Sequence, residues 1–236
     1  MTWEENLMYR YETHLHTFPV SRCAHGDVEE NLKFYKALGY DGVFITNHFL
    51  DGNINIDHRV PYEEKIRFYF SDYEQALPLG QTLGIKVFCG VELSYLGTDF
   101  LVYGLDKAWF LAHPEIMDMD RRAQLRFFMD SGALVIQAHP YREASYIDHI
   151  RLYPREVHGV EVINANRSEG ENRMAAVYAA HYGLLPFAGS DNHVAGKQEK
   201  LAGVCSREPV LSAQDFVEKV KAGRMEIFAF TPENAG

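Results

Sequence analysis

Cysteine is scarce in this chain of 236 residues, which has only Cys23, Cys89 and Cys205. The three are far apart and form no Cys-x-x-Cys pair, which argues against a disulfide framework and against a structural zinc knuckle. A hydrophobic content of 47% is enough for a core that needs no disulfide and no structural zinc. The cysteine usage therefore favours a reducing, cytoplasmic compartment.

The sequence also lacks long apolar runs and an excess of basic residues. No uninterrupted apolar stretch approaches the ~20 residues that a helix needs to cross a bilayer. The segment 1–5 lacks the basic region and apolar core of a signal peptide, so we expect no membrane contact. Lys and Arg total 23 against 33 Asp and Glu, a net charge of −10, which argues against binding long nucleic acid. A small anionic substrate remains compatible, because bound divalent ions reverse the local potential.

Apolar segments alternate with amphipathic ones along the chain. Helical spacing and capping signals predict helices over 28–38, 61–83, 115–131, 168–182 and 213–221, the last capped by Ser212. Seven strands are predicted, the first leading into His14 and His16 and the others over 42–47, 86–92, 100–104, 133–138, 159–164 and 185–189. This alternation favours one domain over residues 1–236, built as a parallel α/β barrel.

Residue types that bind metals recur at the carboxyl ends of these strands. In His14-Leu15-His16 the two imidazoles stand at i and i+2, so they point to the same face of a strand. Later strands end in His48, Glu92, His139, Asp191 and His193. Histidine nitrogen and carboxylate oxygen suit zinc, iron or manganese, and barrels build their sites at strand ends. The pattern predicts a metalloenzyme.

Five short motifs resemble those of the polymerase and histidinol phosphatase (PHP) family. They are HLH at 14–16, ITNH at 45–48, GVE at 90–92, QAHP at 137–140 and GSDNH at 189–193. The likeness runs over nearly the whole chain. It implies a distorted seven-stranded, TIM-like (β/α) barrel with two or three divalent metal ions at the C-terminal ends of the strands. Members of the family include phosphatases, nucleases and metal-binding domains attached to DNA polymerases.

The resemblance also implies how the ligands are shared among the ions. A first ion would be held by His14, His16, Glu92 and Asp191. Glu92 would bridge to a second ion that also takes His139. The third ion would be held by His48 and His193.

Two further ligands are carried over at positions where this chain departs from the family. Members often have a histidine or aspartate shortly after the first motif, and His25 is the candidate here. Some members carry a histidine after strand four, where this chain has Asp106. Carboxylate can replace imidazole as a ligand, so we expect Asp106 to serve. The alternative is a dinuclear site without these two residues.

Three arginines follow strand ends and are candidates for binding a phosphate group. Arg22, Arg142 and Arg167 lie in loops, where a planar guanidinium can clamp phosphate through two hydrogen bonds. Arg142 is the strongest, because a short, proline-stiffened loop ties it to His139.

Other polar residues near the strand ends are less telling. Cys23 has no evident activating base in the sequence, so we interpret it as a buried loop cysteine rather than a nucleophile. Asn164 and Asn166 either bind substrate or hold their loop, and both interpretations stay open.

The favoured hypothesis is a metal-dependent phosphoesterase that uses a metal-activated hydroxide on a small phosphorylated substrate, either a monoester or a short diester. Arg142 would neutralise charge on the phosphoryl oxygens, and Asp191 or His193 would assist proton transfer. A second hypothesis is an amidohydrolase-like enzyme acting on C–N or C–O bonds, although no strand-end lysine bridges the ions as in many of those enzymes. The third is a non-catalytic, metal-stabilised binding module.

Overall fold

The computed structural model describes residues 8–232. The segment 1–5, on which the expectation of no signal peptide rests, lies outside the described residues. Between 8 and 232, no helix has both the length and the apolar character that crossing a membrane requires.

The chain folds into a mixed α/β structure built on one large sheet. Its strands are β1 (Tyr9–Leu15), β2 (Gly42–Ile45), β3 (Lys86–Tyr95), β4 (Thr98–Tyr103), β5 (Leu134–Ala138), β6 (Gly159–Asn164), β7 (Leu185–Gly189), β8 (Leu201–Ser206) and β9 (Glu226–Phe230). The strand order is β7-β6-β5-β4-β3-β2-β1-β8-β9.

The helices lie largely where the apolar spacing predicts them. They are α1 (Val28–Ala37), α2 (Tyr62–Tyr69), α3 (Ser71–Leu83), α4 (Lys107–Ala112), α5 (Arg121–Asp130), α6 (Glu169–Tyr182) and α7 (Ala213–Lys221), with a 3-10 helix at Pro114–Asp118. The single helix predicted from 61 to 83 is divided at Phe70 into α2 and α3. Ser212 caps α7 as expected, because its side chain accepts a hydrogen bond from the backbone N–H of Asp215.

The seven-stranded parallel barrel predicted from the sequence is corrected in two respects. The sheet has nine strands, because β8 and β9 extend it beyond β1 through antiparallel pairing. The strand β4 also runs antiparallel to both of its neighbours. Parallel pairing is confined to β1–β2–β3 and β5–β6–β7. A two-residue turn, Leu96-Gly97, with both residues at positive φ, sends β4 straight back along β3.

The sheet curls until it is nearly closed. The residues that follow β7 bond to the end of β1, since the His16 N–H donates to the Asn192 carbonyl over 2.9 Å. One apolar cluster contains side chains from strands all around the curl, including Phe44, Tyr103 and Phe187, together with Phe216 of α7. The rings of Phe44 and Phe216 have centroids 4.2 Å apart. The interior is therefore a packed core, and the polar side chains at the carboxyl ends of the parallel strands are built on top of it.

Candidate metal centre

An irregularity in β1 turns both histidines of the first motif towards the interior. Tyr11 packs in the interior core, so strict alternation would point residues 13 and 15 inward and His14 and His16 outward. The pairing of β1 with β2 shifts register between Glu12 and Leu15. Such a bulge adds one residue and reverses the parity of the side chains that follow it. His14 and His16 consequently lie fully buried within the barrel.

The antiparallel direction of β4 brings a further carboxylate to the same edge. Because β4 runs opposite to β3 and β5, its amino end lies beside their carboxyl ends, and Asp99 pairs with Ala138 at the end of β5. Asp99 is buried, and its Oδ2 lies 3.8 Å from Nε2 of His139. The predicted ligand Asp106 instead follows the far end of β4, where its exposed side chain caps α4. Asp99 therefore replaces Asp106 as the candidate contributed by this strand.

The carboxylate of Glu92 is the hub of the cluster. Its Oε1 lies 3.1 Å from Nε2 of His14 and 3.4 Å from Nε2 of His139. Its Oε2 lies 2.8 Å from Nδ1 of His48 and 3.4 Å from Nε2 of His16. One fully buried carboxylate thus faces four imidazoles that come from three different strand ends.

Asp191 completes the arrangement from the loop after β7. Its Oδ1 lies 3.4 Å from Nε2 of His16 and 3.6 Å from Nε2 of His14. Its Oδ2 lies 3.8 Å from Nε2 of His139. The backbone of Asp191 is held at a φ of 54°, in the left-handed region that non-glycine residues rarely adopt. Such strained positions concentrate at functional sites.

The donor atoms of this cluster meet the requirements of a divalent cation. Both oxygens of Glu92, Nε2 of His14 and Nε2 of His16 are buried without a hydrogen bond of good geometry. Burying so many unpaired polar atoms is costly unless a cation binds them. Between residues 8 and 232, four sets of three side chains place their ligand atoms within 4.8 Å of one another. The sets are His14/His16/Glu92, His14/His139/Asp191, Glu92/Asp99/His139 and His16/His48/His193.

Acceptors behind the histidines leave their inward nitrogens free to bind metal. Glu161 Oε1 lies 3.0 Å from Nδ1 of His14, so Nδ1 faces this carboxylate and Nε2 is the nitrogen available to a metal. Ser21 lies 3.1 Å from Nδ1 of His16, and its only hydroxyl proton is donated to Asn47. The Ser21 oxygen must therefore accept from Nδ1 of His16, which again leaves Nε2 bare.

The carboxylates and His16 have the charge states that ligation needs, whereas the neighbouring carboxylates raise the pKa values of His14 and His48. Burial opposes ionisation of Glu92, but His48 and His14 hold its pKa well below the usual range. Burial likewise acts against ionisation of Asp191, and His14 with His16 lowers its pKa. For His16, burial together with His193 and His48 lowers the pKa, so the imidazole is neutral. Ionised carboxylates and neutral imidazoles are the forms that bind metals.

Several residues singled out in the sequence lie apart from this cluster or at its rim. His25 is exposed and is in none of the four sets. Arg22 is exposed and donates to the Ile54 carbonyl. Arg167 is half-buried, with an Nε atom that lacks a hydrogen-bond partner. Arg142 is the arginine that contacts the cluster, since its Nη2 lies 3.0 Å from Oδ2 of Asp99.

Cys23 is placed differently from the expectation of an inert loop cysteine. Its side chain is half-buried. Burial alone would raise the pKa of the thiol, but the neighbouring His193 and His48 outweigh burial and lower the pKa to about 6. Both histidines belong to the predicted ligand set, so Cys23 borders the cluster.

Glu161 is the main functional residue that the sequence did not reveal. Its Oε2 accepts from the backbone N–H of His139 over 3.0 Å and from Nδ2 of Asn164 over 2.8 Å. The Asn164 amide also lies 3.3 Å from Oδ2 of Asp191, which favours a holding role for this asparagine. The sequence contains one sign of this role. Glu161 is the lone carboxylate in the apolar stretch Gly159–Asn164, and a charge buried there needs partners.

We expect Glu161→Gln to weaken metal binding by ~10–100-fold while the fold is retained. A glutamine has one acceptor oxygen and one NH₂ donor, so it cannot accept from His14, His139 and Asn164 together. Glu156→Gln is the matched control, because Glu156 is a buried carboxylate paired with Arg126 instead. Metal titration followed by calorimetry measures both variants. Equal affinity in the Glu161 variant and the wild type would refute the positioning role.

Comparisons with known proteins agree with this geometry. A family model described as PHP-associated matches residues 169–225. No curated protein matches the sequence. The fold is similar to a two-domain protein from Bacteroides vulgatus described as containing a predicted PHP-like metal-dependent phosphoesterase, at a TM-score of 0.68 and 16% identity. That match covers 95% of this chain and 66% of the other, so this chain spans slightly less than two thirds of that protein.

Two other solved structures share the fold over most of their length. PsfC from Pseudomonas syringae matches with a TM-score of 0.63 at 16% identity, covering 95% of this chain and 91% of that protein. An amidohydrolase from Chromobacterium violaceum, solved with bound sulfate and no metal, matches with a TM-score of 0.53 at 16% identity, covering 96% and 99%. At these identities the likeness shows the fold alone. The family match over residues 169–225 and these structures together show a fold similar to that of the PHP-like proteins.

Proposed function

We propose that this protein is a metal-dependent phosphoesterase acting on a small phosphorylated substrate, either a monoester or a short diester. The observation that carries the proposal is the Glu92 carboxylate facing four imidazoles, with Arg142 beside the neighbouring Asp99. The described relative from Bacteroides vulgatus supports the same class of reaction. The site would hold two or three divalent ions of zinc, iron or manganese, because mixed nitrogen and oxygen ligands suit all three metals.

The proposed assignment of ligands to the separate ions follows the four sets of side chains described above. His14, His16, Glu92 and Asp191 would hold one ion, and Glu92, Asp99 and His139 a second. His48 and His193 would contribute to a third. When bound, such ions lower the pKa of water towards neutrality and polarise phosphoryl oxygens.

The substrate would enter from the exposed side of the cluster. His14 and His16 are completely buried, whereas the side chains of His193 and Arg142 are 24% and 17% exposed. The phosphate group would approach from the side of these two residues. Arg142 would orient it and neutralise charge that develops on its oxygens. Asp191 or His193 would assist transfer of the proton to the leaving oxygen.

The amidohydrolase alternative is favoured by one observation, the likeness to the Chromobacterium violaceum structure. Among residues 8–232, however, the position between the candidate ions is taken by Glu92 rather than by a lysine. A non-catalytic binding module is the remaining alternative. It predicts that the bound ions contribute stability and no turnover.

We expect hydrolysis of p-nitrophenyl phosphate or bis-p-nitrophenyl phosphate that depends on added zinc, manganese or iron. His16→Ala should abolish it, because the substitution removes a buried candidate ligand. Release of p-nitrophenol measures the activity, and a parallel panel of amides and carboxylic esters tests the second hypothesis. Turnover of amides without turnover of phosphate esters would replace the proposal. Stabilisation by metal without turnover of any substrate would favour the binding module.

A pair of variants separates metal binding from phosphate binding. We expect His14→Ala to lose bound metal and kcat. Arg142→Ala should keep the metal content and raise KM by ~10–100-fold, since it removes charged hydrogen bonds to phosphate. Elemental analysis combined with steady-state kinetics measures both effects. Loss of metal in Arg142→Ala together with full metal in His14→Ala would reverse the assigned roles.

A further inference from the structure

A line of buried hydrogen bonds runs from α3 to the candidate ligand His16. Asp72, in the first turn of α3, is buried and belongs to none of the four sets of candidate ligands. Its Oδ2 accepts from the hydroxyl of Thr17 over 2.7 Å and from Nδ2 of Asn47 over 3.2 Å. The hydroxyl of Ser21 donates to Oδ1 of Asn47 over 2.8 Å and lies 3.1 Å from Nδ1 of His16. Asn47 and Ser21 thus link a buried carboxylate to the imidazole.

The orientation of the Asn47 amide is fixed from both sides. The backbone N–H of Thr17 can only donate, and it meets Oδ1 of Asn47 at 2.7 Å. An ionised carboxylate can only accept, and Oδ2 of Asp72 faces the other atom, Nδ2 of Asn47. Because the Thr17 hydroxyl donates to Asp72, its oxygen is left to accept from the same Nδ2 over 2.9 Å. The carbonyl oxygen of Asn47 therefore points to Ser21.

That carbonyl determines the direction of the hydrogen bonds made by Ser21. The single hydroxyl proton is donated to Asn47, and the hydroxyl oxygen accepts from the backbone N–H of His48 over 3.0 Å. The remaining lone pair faces Nδ1 of His16, which must carry the proton. In the reversed direction, Asn47 would donate to Ser21, Ser21 would donate to Nδ1, and the proton of His16 would lie on Nε2. A proton there would occupy the lone pair that a metal needs.

The two histidines of β1 differ in what lies behind them. Glu161 contacts Nδ1 of His14 directly, at 3.0 Å. Behind His16 lies a neutral hydroxyl instead, and the carboxylate in line with it is Asp72, reached through two neutral side chains. A carboxylate behind a metal-binding histidine fixes the tautomer and the orientation of the ring.

We propose that Asp72 is a positioning residue that sets the direction of these hydrogen bonds and so keeps Nε2 of His16 free to bind metal. Because it accepts and has no proton to donate, it excludes the reversed direction. It acts through Asn47 and Ser21 and touches neither the ion nor the substrate. The inference rests on the metal centre of the proposed function and adds to it a residue of α3.

Asp72→Asn tests the proposal with little change in shape, because asparagine can either accept or donate at this position. We expect metal-free wild-type protein to hold His16 in one tautomer, with the proton on Nδ1. The variant should show a second population with the proton on Nε2. Long-range nitrogen–proton NMR correlations of the imidazole distinguish the two tautomers. Glu156→Gln is the matched control, because it makes the same change at a buried carboxylate that pairs with Arg126 instead.

Metal affinity supplies a second readout. We expect Asp72→Asn to bind zinc ~10-fold more weakly at the site that uses His16, the lower end of the effect of losing a residue that supports a metal ligand. In a Ser21→Ala background the same substitution should cause no further loss, because the hydrogen bonds no longer reach His16. A general effect of Asp72 on the fold would persist in that background. Titration calorimetry compares the two single variants, the double variant and the wild type.

Three results would overturn the role of Asp72. They are a wild-type His16 with its proton on Nε2, an Asp72→Asn variant with the tautomer and zinc affinity of the wild type, and additive losses in the double variant. If Asp72→Asn does not fold, Asn47→Leu interrupts the same hydrogen bonds one residue closer to Ser21. It should produce the same mixture of tautomers, and a single tautomer with the proton on Nδ1 would again contradict the proposal.

These readouts also separate this inference from the proposed reaction. If the tautomer and the zinc affinity respond as expected while no phosphate ester is hydrolysed, the role of Asp72 stands and the proposed function fails. If the wild type hydrolyses phosphate esters while neither readout responds to Asp72→Asn, the role of Asp72 is wrong and the proposed function stands.

Discussion

The buried carboxylate of Glu92 is the constraint on which the rest of the site depends. Four imidazoles approach its two oxygens to between 2.8 and 3.4 Å, yet neither oxygen accepts a hydrogen bond of good geometry. A fully buried charge in that situation is costly to the folded protein unless a cation binds it. Metal binding would therefore be coupled to folding, since ions that serve catalysis would also satisfy the buried ligand atoms.

Departures from regular strand geometry bring the candidate ligands together at Glu92. The bulge in β1 turns His14 and His16 inward, and the reversed direction of β4 brings Asp99 beside the end of β5. A second register shift, between Glu161 and Ile163 in β6, lets Glu161 and Asn164 both reach the site. Each irregularity places a polar side chain over the apolar core. Bulges commonly re-aim side chains next to active sites in this way.

The predicted site residues that the structure brings together carry a local signal in the sequence. His48, Glu92 and His139 each follow an apolar run, and a run that ends in a metal-binding residue is visible without knowledge of strand pairing. The antiparallel strands carry no such signal. Asp99 stands at the start of its strand, so a prediction of parallel strands looked for its ligand at the wrong end and chose Asp106. The strands β8 and β9 were missed for a related reason, because their pairing joins segments far apart in the sequence.

The most direct test of the account is the metal content of the purified protein compared with that of Glu92→Gln. Elemental analysis after reconstitution with zinc, manganese or iron should find two or three ions per chain in the wild type. The variant should lose more than one ion, because Glu92 faces ligands of every proposed site. Chelation should also lower the melting temperature of the wild type. A wild type without stoichiometric metal, or a Glu92→Gln variant with the full complement, would contradict the account.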